Sequence, residues 1–215
     1  MRKKDVVVVD YGIGNLHSVK KGLEYCGADV IVTSDKKNIL KAARVVLPGV
    51  GAFADGMKGL KEAELLEVVC EVASRGKPLL GICLGMQMLL DESEEFGLSK
   101  GLGLIPGKVI PIPKLDINNN THKIPHIGWS ELSIPKHKKE WNSDLMNLTH
   151  PGDSAYFVHS FMARVNHKEH EIANCYYGGI SISAVIGVDN IYGCQFHPEK
   201  SGEVGLKMLK SFVDL

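Results

Sequence analysis

Apolar residues near the start of the chain form first a continuous run and then a run with helical spacing. Residues 5–9 read DVVVV, a β-branched run that is typical of a strand buried on both faces. In the stretch that follows, Leu16, Val19 and Leu23 recur at helical spacing, and Gly27 ends the pattern. The chain is therefore predicted to begin with a buried strand followed by an amphipathic helix.

The same alternation continues to about residue 95. It predicts three further strands, in ADVIVTSD, RVVLPGVG and KPLLGI. It predicts helices in NILKAA, in the stretch from ADGMKGL to Gly76, and in LGMQMLLDESEE. Strands and helices that alternate with short links indicate parallel strands joined by right-handed crossovers. We therefore expect an α/β fold, with an open, mostly parallel sheet flanked by helices.

The second half of the chain has a different pattern. From Gly101 to Ser133, prolines and short β-rich pieces favour added antiparallel strands and loops, and further strands are predicted in SAYFVHSFMARV, ISISAVIG and IYGCQFHP. The polar segments KLDINNNTHK and IPKHKKEWNSD are expected at the surface. The closing segment SGEVGLKMLKSFVDL predicts an amphipathic helix with Ser201 as its N-cap. We see no domain boundary, so residues 1–215 are expected to form a single domain.

Charge and hydropathy exclude several classes of partner. Lysine plus arginine and aspartate plus glutamate number 25 each, so no net charge attracts nucleic acid or an anionic membrane. The basic run at 136–139 lacks interleaved aromatic residues and is expected to be a solvated loop. No apolar stretch approaches the roughly 20 residues that span a bilayer, and no secretory signal is visible. These features predict a cytoplasmic protein with no nucleic-acid partner and no membrane partner.

Metal and cofactor motifs are missing from the sequence. The five cysteines are scattered, with no CxxC pair, which argues against disulfides and structural zinc. His122 and His126 have near-metal spacing, but Pro125 between them prevents a helical pair. The glycine motifs that bind dinucleotides or phosphates are absent. We therefore expect neither a metal nor a cofactor.

Cys83 lies between two glycines where a predicted strand meets a predicted helix. Residues 81–85 read GICLG, a G-x-C-x-G form of the nucleophile elbow. The tight turn leaves no room for a side chain at Gly81 or Gly85, and a sulfur at a helix N-terminus is favoured as thiolate. The N–H of Leu84 is then positioned to stabilise a substrate oxyanion. Taken alone, the pattern fits a buried core thiol as well as a nucleophile.

A thiolate in acyl transfer needs a proton shuttle, and the segment QFHPEKS offers one. Pro198 favours an extended conformation at His197, and residues two apart in an extended chain point to the same side. Glu199 would then orient the His197 imidazole and stabilise its protonated form. The isolated pattern is weak, but it supplies the base and the orienting carboxylate that Cys83 lacks.

The segment LPGVGAF places a glycine-rich loop directly after a predicted strand. Backbone N–H groups of a Gly-Val-Gly loop can face a developing negative charge, although an ordinary turn between strand and helix has the same composition. The loop lies at a strand end, as Cys83 does. This is the edge at which open α/β sheets bind their ligands.

The motifs PGVG, GICLGMQ and FHPE, in this order, together resemble those of the class I (triad-type) glutamine amidotransferases. The resemblance extends over most of the chain. The segments DYGIGNLHSV, KIPHIGW and YFVHSF are similar in particular to the glutaminase subunits of imidazole glycerol phosphate synthases. The resemblance implies a three-layer, flavodoxin-like α/β fold and a glutaminase of histidine biosynthesis, which hydrolyses L-glutamine to glutamate and ammonia through a cysteine thioester.

The resemblance also implies roles for individual residues. Cys83 would be the nucleophile, His197 the general base and then acid, and Glu199 the residue that orients it. The other implied roles are oxyanion stabilisation by Val50, Gly51 and Leu84; substrate binding by Gln87, by Glu95 at the end of the helix after Cys83, and by Ser160 and Phe161; and partner contact by Asn15, Trp129, Tyr156 and Lys200.

Two positions depart from the family's pattern. Ser130 stands where asparagine is usual, and Phe161 stands where tyrosine is frequent. Neither belongs to the triad, but Ser130 lies in the segment that would face the partner.

The fate of ammonia implies a second chain. Ammonia released into neutral water is mostly protonated and no longer nucleophilic, so a biosynthetic glutaminase must pass it directly to an acceptor site. The predicted elements leave no room for a synthase domain. In the resembling family the partner is a (β/α)8-barrel cyclase in a heterodimer, whose lyase-type synthase activity makes imidazole glycerol phosphate and aminoimidazole carboxamide ribonucleotide. The alternatives are a glutaminase serving a different synthase, for example in surface-sugar biosynthesis, and a non-catalytic subunit or another cysteine hydrolase.

Overall fold

The computed structural model describes residues 5–215 of the chain. In chain order its helices and strands are β1 (Asp5–Val9), α1 (Leu16–Tyr25), β2 (Asp29–Thr33), α2 (Lys36–Lys41), β3 (Arg44–Gly49), α3 (Phe53–Glu62), α4 (Leu66–Ser74), β4 (Leu79–Cys83), α5 (Leu84–Met88), β5 (Leu90–Ser93), β6 (Ser99–Lys100), β7 (Ile105–Pro111), β8 (His126–Glu131), β9 (Ser154–His159), β10 (Phe161–Val165), β11 (Glu171–Tyr177), β12 (Ile180–Val188), β13 (Ile191–Cys194) and α6 (Gly202–Asp214). Short 3-10 turns occupy Asp144–Met146, Lys168–His170 and Pro198–Lys200.

Seven strands form the central sheet, in the order β11-β12-β13-β4-β3-β1-β2. From β13 to β2 all neighbouring strands are parallel, whereas β11 and β12 join one edge in antiparallel pairing. A second sheet has the order β10-β7-β5-β6, and β8 pairs with β9. The predicted α/β fold, a mostly parallel sheet with antiparallel strands added in the second half, is therefore confirmed.

Both faces of the central sheet are covered, which explains the continuous apolar run in β1. Val6 and Val8 pack into a core shared with α1 and α6, while Val7 and Val9 pack into the core on the opposite face. Alternate residues of a strand point to opposite faces, so each face receives two valines. Burial of an aliphatic side chain of this size contributes roughly 1.5–3 kcal/mol. The helices on either face thereby fix the three-layer arrangement.

The long helix predicted up to Gly76 is wrong, because it is two helices. Helix α3 ends at Glu62 and α4 begins at Leu66. Between them Glu64 takes a positive φ of 57°, and the N–H of Leu65 donates to the carbonyl of Leu60 at 2.8 Å. This is a typical helix-terminating turn, built here without glycine at the left-handed position. The apolar spacing alone carries no sign of the break.

The helix predicted in LGMQMLLDESEE is also wrong beyond its first turns. Helix α5 stops at Met88, and Leu90–Ser93 form strand β5. In this strand Leu90 pairs with Ile105, and Ser93 pairs with Val109 of β7. Hydrogen bonds to a distant strand thus override the helical propensity of the segment. Glu95 therefore follows a strand and does not end a helix.

Two further expectations differ in the second half. Ser201 precedes α6, but its side chain makes no capping hydrogen bond; the hydroxyl donates to the carbonyl of His197 at 2.7 Å and accepts from the N–H of Tyr156 at 2.9 Å. Strand β11 was not predicted, because buried Asn174 interrupts its apolar pattern.

Within residues 5–215, no helix has the length and apolar character required to cross a bilayer.

Candidate active site

The turn from β4 into α5 holds Cys83 in a strained conformation. Its φ of 54° lies in the left-handed region, which residues other than glycine seldom adopt. A Cβ on Gly81 would lie 2.6 Å from the carbonyl oxygen of Gly85, and a Cβ on Gly85 would lie 1.8 Å from that of Leu47. Only glycine fits at either position, as the sequence predicts. The turn leaves the cysteine side chain 8% exposed, at the carboxyl end of β4.

His197 and Glu199 meet behind this turn. The Nδ1 atom of His197 lies 2.9 Å from Oε1 of Glu199, and both side chains are buried. A carboxylate only accepts, so Nδ1 carries the proton, and Nε2 is the nitrogen left available to the cavity that His197 and Cys83 both line. His197 is extended, as predicted, but Glu199 lies in the 3-10 turn Pro198–Lys200, so the extended segment ends before Glu199. The predicted contact is nevertheless present.

The protonation of His197 is set by its two neighbours. Burial alone would lower its pKa, but the hydrogen bonds to Cys83 and Glu199, and the negative charge of both groups, raise it to about 9. The imidazole is therefore protonated at neutral pH. An imidazolium beside a sulfur stabilises the thiolate, which is the nucleophilic form.

The other cysteines have no such environment. Burial raises the pKa of the thiols of Cys26, Cys70 and Cys194, and raises that of Cys175 to about 12. The raised pKa values keep these four thiols in the neutral form; Cys26, Cys175 and Cys194 are buried, and Cys70 is half-buried. Cys83 differs from them because it lines the same cavity as His197.

A cavity of about 300 Å³ opens above the sulfur of Cys83. It brings together the residues predicted for oxyanion stabilisation and for substrate binding. Its lining includes Val50, Gly51, Cys83, Leu84, Gln87, Glu95, Ser160, Phe161 and His197. Gly49 is the register partner of Cys83, so the pairing of β3 with β4 places the loop at Val50 and Gly51 beside the sulfur.

The side chains of two residues predicted to bind substrate make hydrogen bonds to other residues of the protein. The amide nitrogen of Gln87 donates to the carbonyl of Phe161 at 3.2 Å and to Oε1 of Gln195 at 3.0 Å. The carboxylate of Glu95 accepts the N–H of Phe53 at 2.7 Å, at the start of α3. Both side chains therefore help to shape the cavity wall.

Sequence reasoning missed two residues of this site. The hydroxyl of Tyr11 donates to the carbonyl of Pro48 at 2.7 Å and so holds the glycine-rich loop from below. The amide of Gln195 lies 3.8 Å from the sulfur of Cys83. Neither residue carries a local signal, because each contact joins distant parts of the chain.

The residues predicted to contact a partner do not line the cavity. Trp129 is 57% exposed and meets Tyr156 with ring centroids 6.0 Å apart. The carbonyl of Tyr156 accepts the N–H of His197 at 3.0 Å. Lys200 is exposed in the turn that contains Glu199, and Asn15 precedes α1.

A metal is not indicated among the residues described. Between residues 5 and 215, no group of three or more histidine, cysteine, aspartate or glutamate side chains is arranged to hold one. The reactive side chains that line the cavity are those of Cys83 and His197.

Comparison with known proteins agrees with this geometry. The family model of class-I glutamine amidotransferases matches residues 7–215. Imidazole glycerol phosphate synthase subunit HisH 1 of Legionella pneumophila (strain Lens) is 49% identical over 98% of this chain and 99% of its own length. Imidazole glycerol phosphate synthase subunit HisH of Geobacillus sp. (strain WCH70) is 44% identical over 97% of this chain and 95% of its own.

Solved structures share the fold. A glutamine amidotransferase superposes with a TM-score of 0.72 at 16% identity, covering 97% of this chain and 99% of that one. PurLQS from Thermotoga maritima has a TM-score of 0.72 at 20% identity, covering 99% of this chain and 98% of the matched chain. At such identities the likeness concerns the fold.

Gly85→Ala is expected to lower the free energy of unfolding by about 3 kcal/mol, because the added methyl group would overlap the backbone of β3. Urea unfolding followed by circular dichroism measures this loss. Gly22→Ala is the control: its Cβ would come closest to the end of the Leu209 side chain, 2.9 Å away, with Glu199 in ordinary van der Waals contact at 3.9 Å, and the change should stay within about 1 kcal/mol. Equal stabilities of the two variants would contradict the steric account of the turn.

His197 is expected to titrate at about pH 9 in the folded chain, as followed by NMR of its ring. Glu199→Gln removes one source of negative charge and should move this titration to lower pH. Unfolded histidine titrates near pH 6.5, so the stabilisation from the His197 proton is complete below about 6.5 and is lost as pH rises through about 9. Glu203→Gln, at an exposed carboxylate, is the control. Titration of His197 near 6.5 in the unsubstituted chain would refute this electrostatic arrangement.

Proposed function

The chain belongs to the class-I glutamine amidotransferase family, and from that membership we propose that it is the glutaminase subunit of an imidazole glycerol phosphate synthase. It acts in histidine biosynthesis and hydrolyses L-glutamine to glutamate and ammonia. The observation that carries the proposal is the cavity that Cys83 and His197 line together, with His197 held by Glu199 at 2.9 Å. Identities of 43% to 49% to HisH subunits, over nearly the whole chain, support this choice of synthase.

In the first half-reaction, the sulfur of Cys83 attacks the side-chain carbonyl carbon of glutamine. A C–S bond forms and the carbonyl electrons move to oxygen, where the N–H groups of Leu84 and of the segment Val50–Gly51 stabilise the charge. His197 gives its proton to the leaving nitrogen as the C–N bond breaks. The products are ammonia and a γ-glutamyl thioester.

In the second half-reaction, water replaces ammonia. His197, now neutral, takes a proton from the water as its oxygen attacks the thioester carbon. Collapse of the second oxyanion breaks the C–S bond and releases glutamate. Glu199 keeps the proton of the imidazole on Nδ1 throughout, so that Nε2 is the atom that exchanges protons with sulfur, ammonia and water.

The lining of the cavity supports glutamine as substrate. It includes Val50, Gly51 and Leu84, which would stabilise the oxyanion, and Gln87, Glu95, Ser160 and Phe161, which would bind the polar ends of the amino acid. We assign the whole of residues 1–215 to this single glutaminase domain. No cofactor or metal takes part in the mechanism.

Ammonia produced here requires a partner subunit that uses it. We assign this role to a cyclase with a (β/α)8-barrel fold, which forms a heterodimer with this chain in the cytoplasm. Asn15, Trp129, Tyr156 and Lys200 would face it. Trp129 supports this assignment because it exposes a large aromatic surface, an anchor that interfaces commonly use.

Cys83→Ala is expected to abolish glutamate release by the complex of this chain with its cyclase, because no other group can form the thioester. Release is measured with glutamate dehydrogenase. Cys70→Ala, at a half-buried thiol outside the cavity, is the matched control and should keep the unsubstituted rate. Continued turnover in the Cys83 variant would exclude the thioester mechanism.

Trp129→Ala is expected to weaken binding to the cyclase by about 2 kcal/mol, the loss typical of an aromatic anchor. Isothermal titration calorimetry measures this affinity. Tyr25→Ala removes an even more exposed aromatic ring from the far end of α1 and should leave binding unchanged.

Rescue of a histidine auxotroph separates this function from service to another synthase. The gene for this chain, expressed with its cyclase in a strain lacking its own glutaminase subunit, should restore growth. Failure to restore growth by a complex that releases glutamate in vitro would favour a different acceptor, such as a surface-sugar synthase.

A further inference from the structure

Two buried histidines, His126 and His159, lie beside the cavity and have no role in the reaction described above. His126 begins β8, His159 ends β9, and the two are register partners. Nδ1 of His126 lies 3.0 Å from Nε2 of His159. His159 itself lines the cavity.

The direction of the hydrogen bonds through this pair is fixed by its ends. Nδ1 of His159 lies 2.8 Å from the carbonyl oxygen of Phe161, which can only accept, so this nitrogen carries the proton. In the neutral ring Nε2 is then an acceptor, and His126 must donate to it from Nδ1. Nε2 of His126 in turn accepts the hydroxyl of Ser130, at 2.9 Å. The three hydrogen bonds therefore form a series in which each group donates to the next, from Ser130 through His126 and His159 to the carbonyl of Phe161.

Both rings are neutral at neutral pH, as this direction requires. Burial, with a smaller contribution from the charge of His122, lowers the pKa of His126 to about 4. Burial also lowers the pKa of His159 to about 4, against the opposing effect of its bond to Phe161 and with a contribution from His126 and His197. A second proton on His159 would face the N–H of His126 and break the link.

Aromatic packing holds the first ring in place. His126 is stacked between Phe157 and Tyr177, with centroid distances of 5.1 Å and 4.2 Å. A ring enclosed in this way cannot turn to exchange its two nitrogens without displacing its neighbours. The pair therefore keeps one geometry.

The chain of hydrogen bonds ends at the wall of the cavity. The carbonyl oxygen of Phe161 that accepts from His159 also accepts from the amide of Gln87. Ser160 forms the bend between His159 and Phe161, and the bond from the His159 ring to the Phe161 carbonyl closes that bend. The orientation of the Ser160–Phe161 segment thus depends on the proton held at Nδ1 of His159.

We propose that Ser130, His126 and His159 are positioning residues whose one-way hydrogen-bond chain orients the Ser160–Phe161 wall and so sets the affinity for glutamine. The inference rests on the proposed function for the identity of the ligand. It assigns no chemical step to the two histidines, which act through the Phe161 carbonyl. It also gives Ser130 a function, that of the first donor.

The tautomers of the two rings test the direction of these hydrogen bonds. In protein labelled with ¹⁵N-histidine, long-range ¹H–¹⁵N correlation spectra should show His126 and His159 both protonated at Nδ1 and unprotonated at Nε2. Free imidazole side chains favour the opposite tautomer, so this signature is specific. A proton at Nε2 of either ring would overturn the proposal, whether or not the complex has activity.

Kinetics of the complex with the cyclase test the effect on affinity. Ser130→Ala should raise the KM for glutamine about fivefold, the equivalent of one hydrogen bond, and change kcat less than about twofold. Ser130→Thr keeps the hydroxyl and should keep the original KM. Ser133→Ala is the matched control. It removes a hydroxyl that donates to the Asn174 carbonyl and takes no part in the hydrogen bonds of Ser130, His126 and His159.

The outcomes separate the two proposals. A KM unchanged in Ser130→Ala, or raised equally in Ser133→Ala, would contradict the positioning role. A fall in kcat at constant KM would contradict it as well. An unsubstituted complex that releases no glutamate would contradict the proposed function instead, and the tautomer spectra would still decide the direction of the hydrogen bonds.

Discussion

The approach of two backbones, between the turn after β4 and the end of β3, is the constraint on which the site depends. Gly85 lies so close to the carbonyl of Leu47 that its hydrogen cannot be replaced by carbon. This contact holds Cys83 at a positive φ and sets Gly49 beside it in the sheet. The oxyanion loop and the nucleophile are therefore placed by the pairing of adjacent parallel strands. Helices on both faces of the sheet supply the burial that compensates for a strained residue.

Near this turn, three histidines differ in protonation state because their neighbours differ. Glu199 and the sulfur of Cys83 act on His197 from its two ring nitrogens and outweigh the cost of burying its charge. A few ångströms away, His126 and His159 are buried without a carboxylate and stay neutral. Three histidines in one region thus have two protonation states, decided by whether a negative group is present. In the roles proposed above, the charged histidine transfers protons and the neutral pair positions the cavity wall.

Sequence alone predicts those features that follow from local sterics and short-range pattern. The alternation from β1 to β4 is readable because each element is short and is bounded by glycine or aspartate. The glycines beside Cys83 are readable because the turn excludes a side chain at those positions. Strand β5 is not readable, since its partner β7 lies later in the chain and overrides its helical composition.

The same limit applies to the residues that support the site. Tyr11, Gln195 and His126 each act through a partner distant in sequence, so no spacing rule finds them. The contact of His197 with Glu199 is a different case. His197 is extended, as the sequence predicts, and the 3-10 turn that follows brings Glu199 within hydrogen-bonding distance of its ring. This pair is local in sequence, unlike the other contacts of the site.

The small size of the cavity has a consequence for the lifetime of the protein in the cell. A thiolate stabilised by an imidazolium is also the form of cysteine that peroxide oxidises, first to sulfenic acid and then irreversibly. Cys83 lines the cavity of about 300 Å³. A molecule bound there would cover this sulfur, so occupancy of the cavity would slow its oxidation.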